Sequence, residues 1–131
     1  MFARLRPSAR HVPRGYSHGI VVAAGGRTVY VAGQLGSDST GVIQLTTFAA
    51  QFTKALENVV AVVEEAGGVA RNIASMRIYV TDFGDYRKSK EAVAVVWRRR
   101  FEDYYPAIAI VQVVALVDPA AMVEIEAIAH V

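Results

Sequence analysis

An α+β domain, with two helices covering one face of a mixed sheet, is the fold class this sequence predicts. Three observations lead to it. Two stretches carry apolar residues at helical spacing, five others read as strands, and their order is β-β-α-β-α-β-β. The 131 residues have room for one domain, read as 1–131 with residues 1–14 as an irregular lead-in.

Ile20 to Ala24 reads as a short strand, Gly25-Gly26 as a hairpin turn, and Thr28 to Ala32 as the partner strand. Gly33-Gln34-Leu35-Gly36 breaks that strand, and Gly33 marks a place where another group approaches the backbone closely. Residues 36–44 are rich in Gly, Ser, Asp and Thr and read as a loop. Phe48, Phe52, Leu56, Val59, Val63 and Ala66 then form one helical stripe, with Thr46 or Thr47 as cap and Gly67-Gly68 as terminator. Ile73 to Val80 reads as a strand closed by Thr81-Asp82. A second helix is predicted from about Asp85 to Arg100, with Tyr86, Val93, Trp97 and Phe101 on its apolar side. Lys90 falls in that phase. There it either snorkels to the rim or lines a pocket.

Two apolar strands close the chain, Pro106 to Val113 and Val123 to Ala127, separated by the Asp118-Pro119 breaker. Glu124 and Glu126 are two apart and share a face of the second strand. A carboxylate among Val, Ile and Ala is costly to bury without a partner, so chemistry is one reason to keep it. The sheet face opposite the helices also reads as apolar and has no helix left to cover it. That argues for an oligomer.

Composition supports this. Hydrophobic residues make up 53% and mean hydropathy is +0.30, yet no apolar run is long enough to span a bilayer. The surplus apolar surface fits a subunit interface. The chain has no cysteine, which excludes disulfides and thiolate chemistry and suits a reducing, cytoplasmic setting. Arg4, Arg6, Arg10 and Arg14 occur in a start without acids. Pro7 and Pro13 interrupt any amphipathic helix there, so it reads as a basic lead-in rather than a targeting peptide. The net charge of +2 is too small to argue for nucleic acid. Arg98-Arg99-Arg100 complements the dipole of a helix end, with an anion or RNA contact as the alternative. No phosphate loop or dinucleotide fingerprint occurs, and His11, His18 and His130 lack the close spacing of metal ligands. Ser17 and His18 are neighbours that face opposite ways on a strand and form no nucleophile–base pair.

Six segments in order carry a family resemblance: Gly15-Tyr16-Ser17-His18-Gly19, Val31-Ala32-Gly33-Gln34, Gln51 through Asn58 to Gly67, Tyr79-Val80-Thr81-Asp82-Phe83, Pro106-Ala107 with Val111-Gln112-Val113, and Val123-Glu124-Ile125-Glu126-Ala127. Together they resemble the RidA family, also called YjgF or endoribonuclease L-PSP, over residues 15–130. The resemblance implies a chorismate-mutase-like fold and a homotrimer with a barrel-like core. It implies small-molecule pockets between subunits, no membrane association, and hydrolysis of enamines or imines without cofactor or metal.

It also implies site residues. Glu124 orients the attacking water, the Ile110 carbonyl helps hold it, and Tyr16 hydrogen-bonds the substrate. Ala32 stands at the family's serine, beside Gly33, and Lys90 at its helix asparagine. Ile108 stands where the family's carboxylate-gripping arginine falls, and isoleucine offers no donor. That loss costs about 1.5–3 kcal/mol or more, roughly ten- to several-hundred-fold in binding of a carboxylate. Lys90 offers a point charge instead, and a guanidinium would have to come from elsewhere, Arg14 or a neighbouring subunit. Three functions follow: an imine or enamine hydrolase with an uncharged or differently placed acid group, a non-catalytic metabolite-binding trimer, and, third, a ribonuclease or translation inhibitor.

Overall fold

The computed structural model describes residues 2–131. Its elements in order are β1 (Ala3–Leu5), β2 (Gly19–Val21), β3 (Thr28–Leu35), α1 (Phe48–Glu65), β4 (Ile73–Val80), α2 (Phe83–Lys88), α3 (Lys90–Phe101), β5 (Ala107–Gln112) and β6 (Val123–His130). The class is α+β. A four-stranded mixed sheet has the order β3-β6-β4-β5, with β4 and β5 parallel and the other pairs antiparallel.

The predicted first helix is α1. Its N-cap is Thr47, whose hydroxyl accepts from the Ala50 N–H at 3.3 Å. Gly67 stops it at φ +91°, and the Gly67 and Gly68 N–H groups donate to the Glu64 and Val63 carbonyls. Phe52, Leu56, Val59 and Val63 on its stripe are fully buried against Ile73, Val123, Ile125 and Ala129 of the sheet. Four apolar side chains of that size account for roughly 6–12 kcal/mol of burial.

Four expectations change. Ala3–Leu5 of the lead-in is a strand, and it pairs with β2. Gly25-Gly26 turns the chain, both residues at positive φ, but closes no hairpin. β3 pairs with β6 instead, because β6 offers eight alternating residues where β2 offers three. The strand does not end at Ala32. It continues to Leu35 through an irregularity between Val31 and Gln34. The second helix begins at Phe83, capped by the Asp82 carboxylate, and is broken at Ser89. The Ser89 N–H closes the last turn of α2 on the Tyr86 carbonyl, while its own carbonyl opens α3 by accepting from Val93.

The sheet face away from the helices is less apolar than expected. Val123, Ile125, Ala127 and Ala129 point into the core, so Glu124 and Glu126 lie on the opposite, open face. Polar neighbours accompany them. The Tyr79 hydroxyl donates to Glu126 Oε1 at 2.5 Å, and Arg77 lies 3.8 Å from the same oxygen. That hydrogen bond, with some burial, raises the Tyr79 pKa. The glutamates are therefore half-exposed, and the desolvation anticipated for them is largely avoided. Tyr30 and Val111 also expose apolar surface on this side.

Candidate functional site

A cavity of about 260 Å³ opens between the helices and the β4–β5 end of the sheet. Ile78 of β4 and Ile108 and Ile110 of β5 form one wall because they share the helix-covered face. Opposite them stand Val93, Ala94 and Trp97 of α3, with Phe52 of α1 at the base. Trp97 is fixed by stacking on Phe101 at 4.1 Å and on Tyr105 at 5.7 Å between ring centroids. Its indole N–H donates to the Tyr104 carbonyl at 3.1 Å. Tyr86 completes the lining, and burial raises its hydroxyl pKa, so it stays a neutral phenol.

The charged residues of the lining are Arg14 and Lys90, and no carboxylate shares it, although Arg14 also borders a neighbouring concavity that holds Asp103. Lys90 is exposed, as a snorkelling lysine is, and also borders the cavity. Arg14 belongs to a loop tied down at several points. The Ser17 N–H donates to the Pro106 carbonyl at 2.9 Å and the Ser17 hydroxyl to the Tyr105 carbonyl at 2.6 Å. His11 Nε2 and the Tyr16 hydroxyl are hydrogen-bonded at 2.7 Å, and His18 Nε2 donates to the His11 carbonyl at 2.8 Å. Ser17 is thus a buried anchor rather than a nucleophile. The rings of His11 and His18 lie 5.0 Å apart, a proximity their spacing did not suggest.

Tyr16 does not line this cavity. It borders two neighbouring concavities, one with Arg77 and Ile108 and one with Arg14 and Asp103. Ala32, Gly33 and Glu124 are elsewhere again. Glu124 is in register with Leu35 of β3 and Tyr79 of β4, on the open face. Its side chain lies over Gly33. A Cβ on Gly33 would sit 2.8 Å from Glu124 Cδ and 3.0 Å from Cγ, and closer still to Oε1. The close approach predicted at Gly33 is therefore made by Glu124.

The Ile110 carbonyl faces outward. Val113 N–H donates to Val80 of β4, while the Pro106 carbonyl accepts from Ser17 on the other side. Alternation along β5 then directs the backbone groups of Ile108 and Ile110 toward the free edge of the sheet. β4 separates this edge strand from β6, so the backbones of Ile110 and Glu124 are about 9.5 Å apart. One chain brings together Lys90, Ile108 and Ile110, and separately Ala32, Gly33 and Glu124. It does not join the two groups.

Sequence reasoning missed Tyr86 and Trp97 as lining residues, because their helical phase reads as core. It missed Tyr105 because nothing local marks a loop tyrosine as a wall. Arg98–Arg100 occupy the end of α3, and Arg100 lies 3.6 Å from Glu64 of α1. This agrees with a structural role.

The family model described as "Endoribonuclease L-PSP" matches residues 7–131. The chain belongs to the RidA/YjgF family. It is 35% identical to the 3-aminoacrylate deaminase RutC of Acinetobacter baylyi, over 79% of each chain. It is 30% identical to a human 2-iminobutanoate/2-iminopropanoate deaminase, over 87% of this chain and 78% of that one. The solved structure of the Rid-family protein YyfB from Yersinia pestis superposes with a TM-score of 0.84 at 27% identity, covering 99% of this chain and 98% of that one. At family level, a deaminase-like function is supported for this RidA-family chain. Among its described residues no helix is long and apolar enough to cross a membrane.

Proposed function

We propose that this RidA-family chain hydrolyses an imine or enamine in a site completed by a second copy, within a homotrimer. The observation that carries the proposal is the Glu124 carboxylate, held over Gly33 on the open sheet face, in a chain whose relatives are named deaminases. The separation within one chain supports the second half of the proposal. The cavity and the carboxylate lie on opposite faces, so another subunit must carry Glu124 to the edge of β5. The exposed Tyr30 and Val111 on the open face, and Val114 and Val117 in the loop after β5, are apolar surface for such an interface.

In this reading Glu124 and the outward carbonyl of Ile110 hold a water molecule against the imine carbon. Water adds to the C=N bond, a proton passes to nitrogen, the C–N bond breaks, and ammonia and a carbonyl product leave. Tyr16, at the neighbouring concavity, hydrogen-bonds the substrate, and Ala32 and Gly33 leave room beside the carboxylate. No residue in this scheme requires a cofactor or metal.

The test is an imine-hydrolysis assay, in which an amino-acid oxidase generates imines and loss of semicarbazide trapping reports turnover. Glu124→Gln is expected to lose activity by about a hundredfold or more while keeping its assembly and stability. Ile108→Arg, which adds a guanidinium at the cost of apolar space, is expected to raise activity on small carboxylate imines only. Full activity in Glu124→Gln sinks the mechanism.

One observation favours a second reading. The cavity lining holds cations and phenols but no carboxylate of its own to position water. A trimer that only binds a small metabolite needs nothing more. Equilibrium binding without product from any imine would decide for that reading.

A further inference from the structure

We infer that the cavity takes a small carboxylate with a bulky apolar body, its charge held at the mouth by Arg14 with Lys90 beside it. The inference rests on the reading of this cavity as the substrate site and names the class of ligand it admits.

Three features of the structure carry it. The first is charge. Arg14 and Lys90 both border the cavity, no acid borders it, and among the described residues neither cation takes part in an ion pair or a side-chain hydrogen bond. Two unneutralised cations at one opening favour an anion there. The guanidinium also presents a planar fork that matches a carboxylate, which the Ile108 side chain cannot do.

The second is placement. Arg14 lies three residues before Ser17, whose backbone and hydroxyl are both bonded to the segment leading into β5. The loop is closed again by the His11–Tyr16 and His18–His11 hydrogen bonds. These ties fix the backbone that brings Gly15 and Arg14 to the cavity. Side-chain ordering of the arginine on binding is thus the main entropy left to lose.

The third is shape and polarity. Behind the cations the walls are Ile78, Ile108, Ile110, Val93 and the flat face of Trp97, with Phe52 at the base. A volume of about 260 Å³ exceeds what the smallest imino acids fill and lies just below the range of sites for drug-sized ligands. Isoleucine at 108 and 110 makes this interior apolar, so discrimination favours a large aliphatic or aromatic side chain over a small one. Isoleucine at position 108 and the cations at the rim then belong together: the charge is held at the opening, and the interior receives the ligand's hydrocarbon.

Trp97 is the chain's single tryptophan and forms part of the wall, so its fluorescence reports occupancy. The probes are 3-phenylpropionate, its neutral amide 3-phenylpropanamide, and acetate, titrated into the native protein and into Arg14→Ala, Arg14→Lys and Lys90→Ala. The native protein is expected to bind 3-phenylpropionate more tightly than acetate or the amide. Arg14→Ala should weaken 3-phenylpropionate by about ten- to a hundredfold and leave the amide unchanged, with Arg14→Lys in between. Lys90→Ala should cost less. Equal affinity for acid and amide, an unaffected Arg14→Ala, or no binding of 3-phenylpropionate at millimolar concentration overturns the inference. Because the probes cannot be hydrolysed, binding with no imine turnover sinks the hydrolase reading alone. Turnover that survives intact in Arg14→Ala sinks this inference alone.

Discussion

Replacing Gly33 by alanine puts a methyl group where the Glu124 carboxylate now lies. The new Cβ would be 2.8 Å from Glu124 Cδ and 3.0 Å from Cγ, with Oε1 nearer still. Gly33 is not among the glycines at positive φ, so alanine meets no backbone penalty there. The unfolded chain is stiffened, which stabilises by about 0.4–1 kcal/mol. Displacing Glu124 from its rotamer costs about 0.5–1.5 kcal/mol. The two effects nearly cancel, and urea denaturation should detect a change within about 1 kcal/mol. The carboxylate, however, must move by an ångström or more. A displacement of that size at a group that positions water costs about a hundredfold in rate. The semicarbazide assay should therefore find Gly33→Ala folded and nearly as slow as Glu124→Gln. The double variant should be no slower than either single one, because both act through the same carboxylate. Gly36→Ala is the control. Its Cβ would meet the backbone of Gln51, at 2.7 Å from the carbonyl oxygen and 2.8 Å from Cα, and backbone cannot swing aside. That variant should lose about 1–3 kcal/mol of stability. A stable Gly33→Ala with native activity refutes the idea that the carboxylate over Gly33 serves the reaction.

Two further predictions concern stability. The buried Gln51 side chain donates to the Leu45 and Ala120 carbonyls and accepts from the Met122 N–H, so Gln51→Ala strands three backbone groups. A loss of about 3 kcal/mol or more is expected, read as a fall in Tm of about 10 °C. The second concerns pH. Burial pushes the Tyr104 hydroxyl, which donates to the Ile73 carbonyl at 2.6 Å, up to about 12. The folded state then holds a proton that the unfolded chain releases near pH 10. This contribution is complete below pH 10 and is lost as pH rises toward 12. It amounts to at most about 3 kcal/mol. Denaturation midpoints at pH 8, 10 and 11.5 should fall less steeply for Tyr104→Phe than for the native chain, and parallel profiles would contradict this.

Much of the fold was legible because local chemistry and packing agree in it. The α1 stripe, its threonine cap and its terminal glycine all reappear, as does the strand from Ile73 to Val80. What failed was pairing. Gly25-Gly26 reads as a hairpin turn, but a turn signal says nothing of whether a better partner strand lies a hundred residues away. β6 is that partner, and the short β2 went to the lead-in instead. The facing of the glutamates was half legible for a similar reason. A period of two shows that Glu124 and Glu126 share a face, and only the helices decide which face is covered.

The site divides along the same line. Residue types and spacing along the chain singled out Glu124, Gly33 and Lys90, because each departs from what its strand or helix needs locally; Ile108, an ordinary strand residue, was marked only by the family resemblance. Tertiary structure alone decided that Glu124 lies over Gly33, that Trp97 and Tyr86 are walls, and that the tethered loop places Arg14 at the mouth. These are contacts between segments far apart in sequence. They follow from which sheet face the helices cover and which strand is left at the edge, and both are settled by burial of the whole chain rather than by any local pattern.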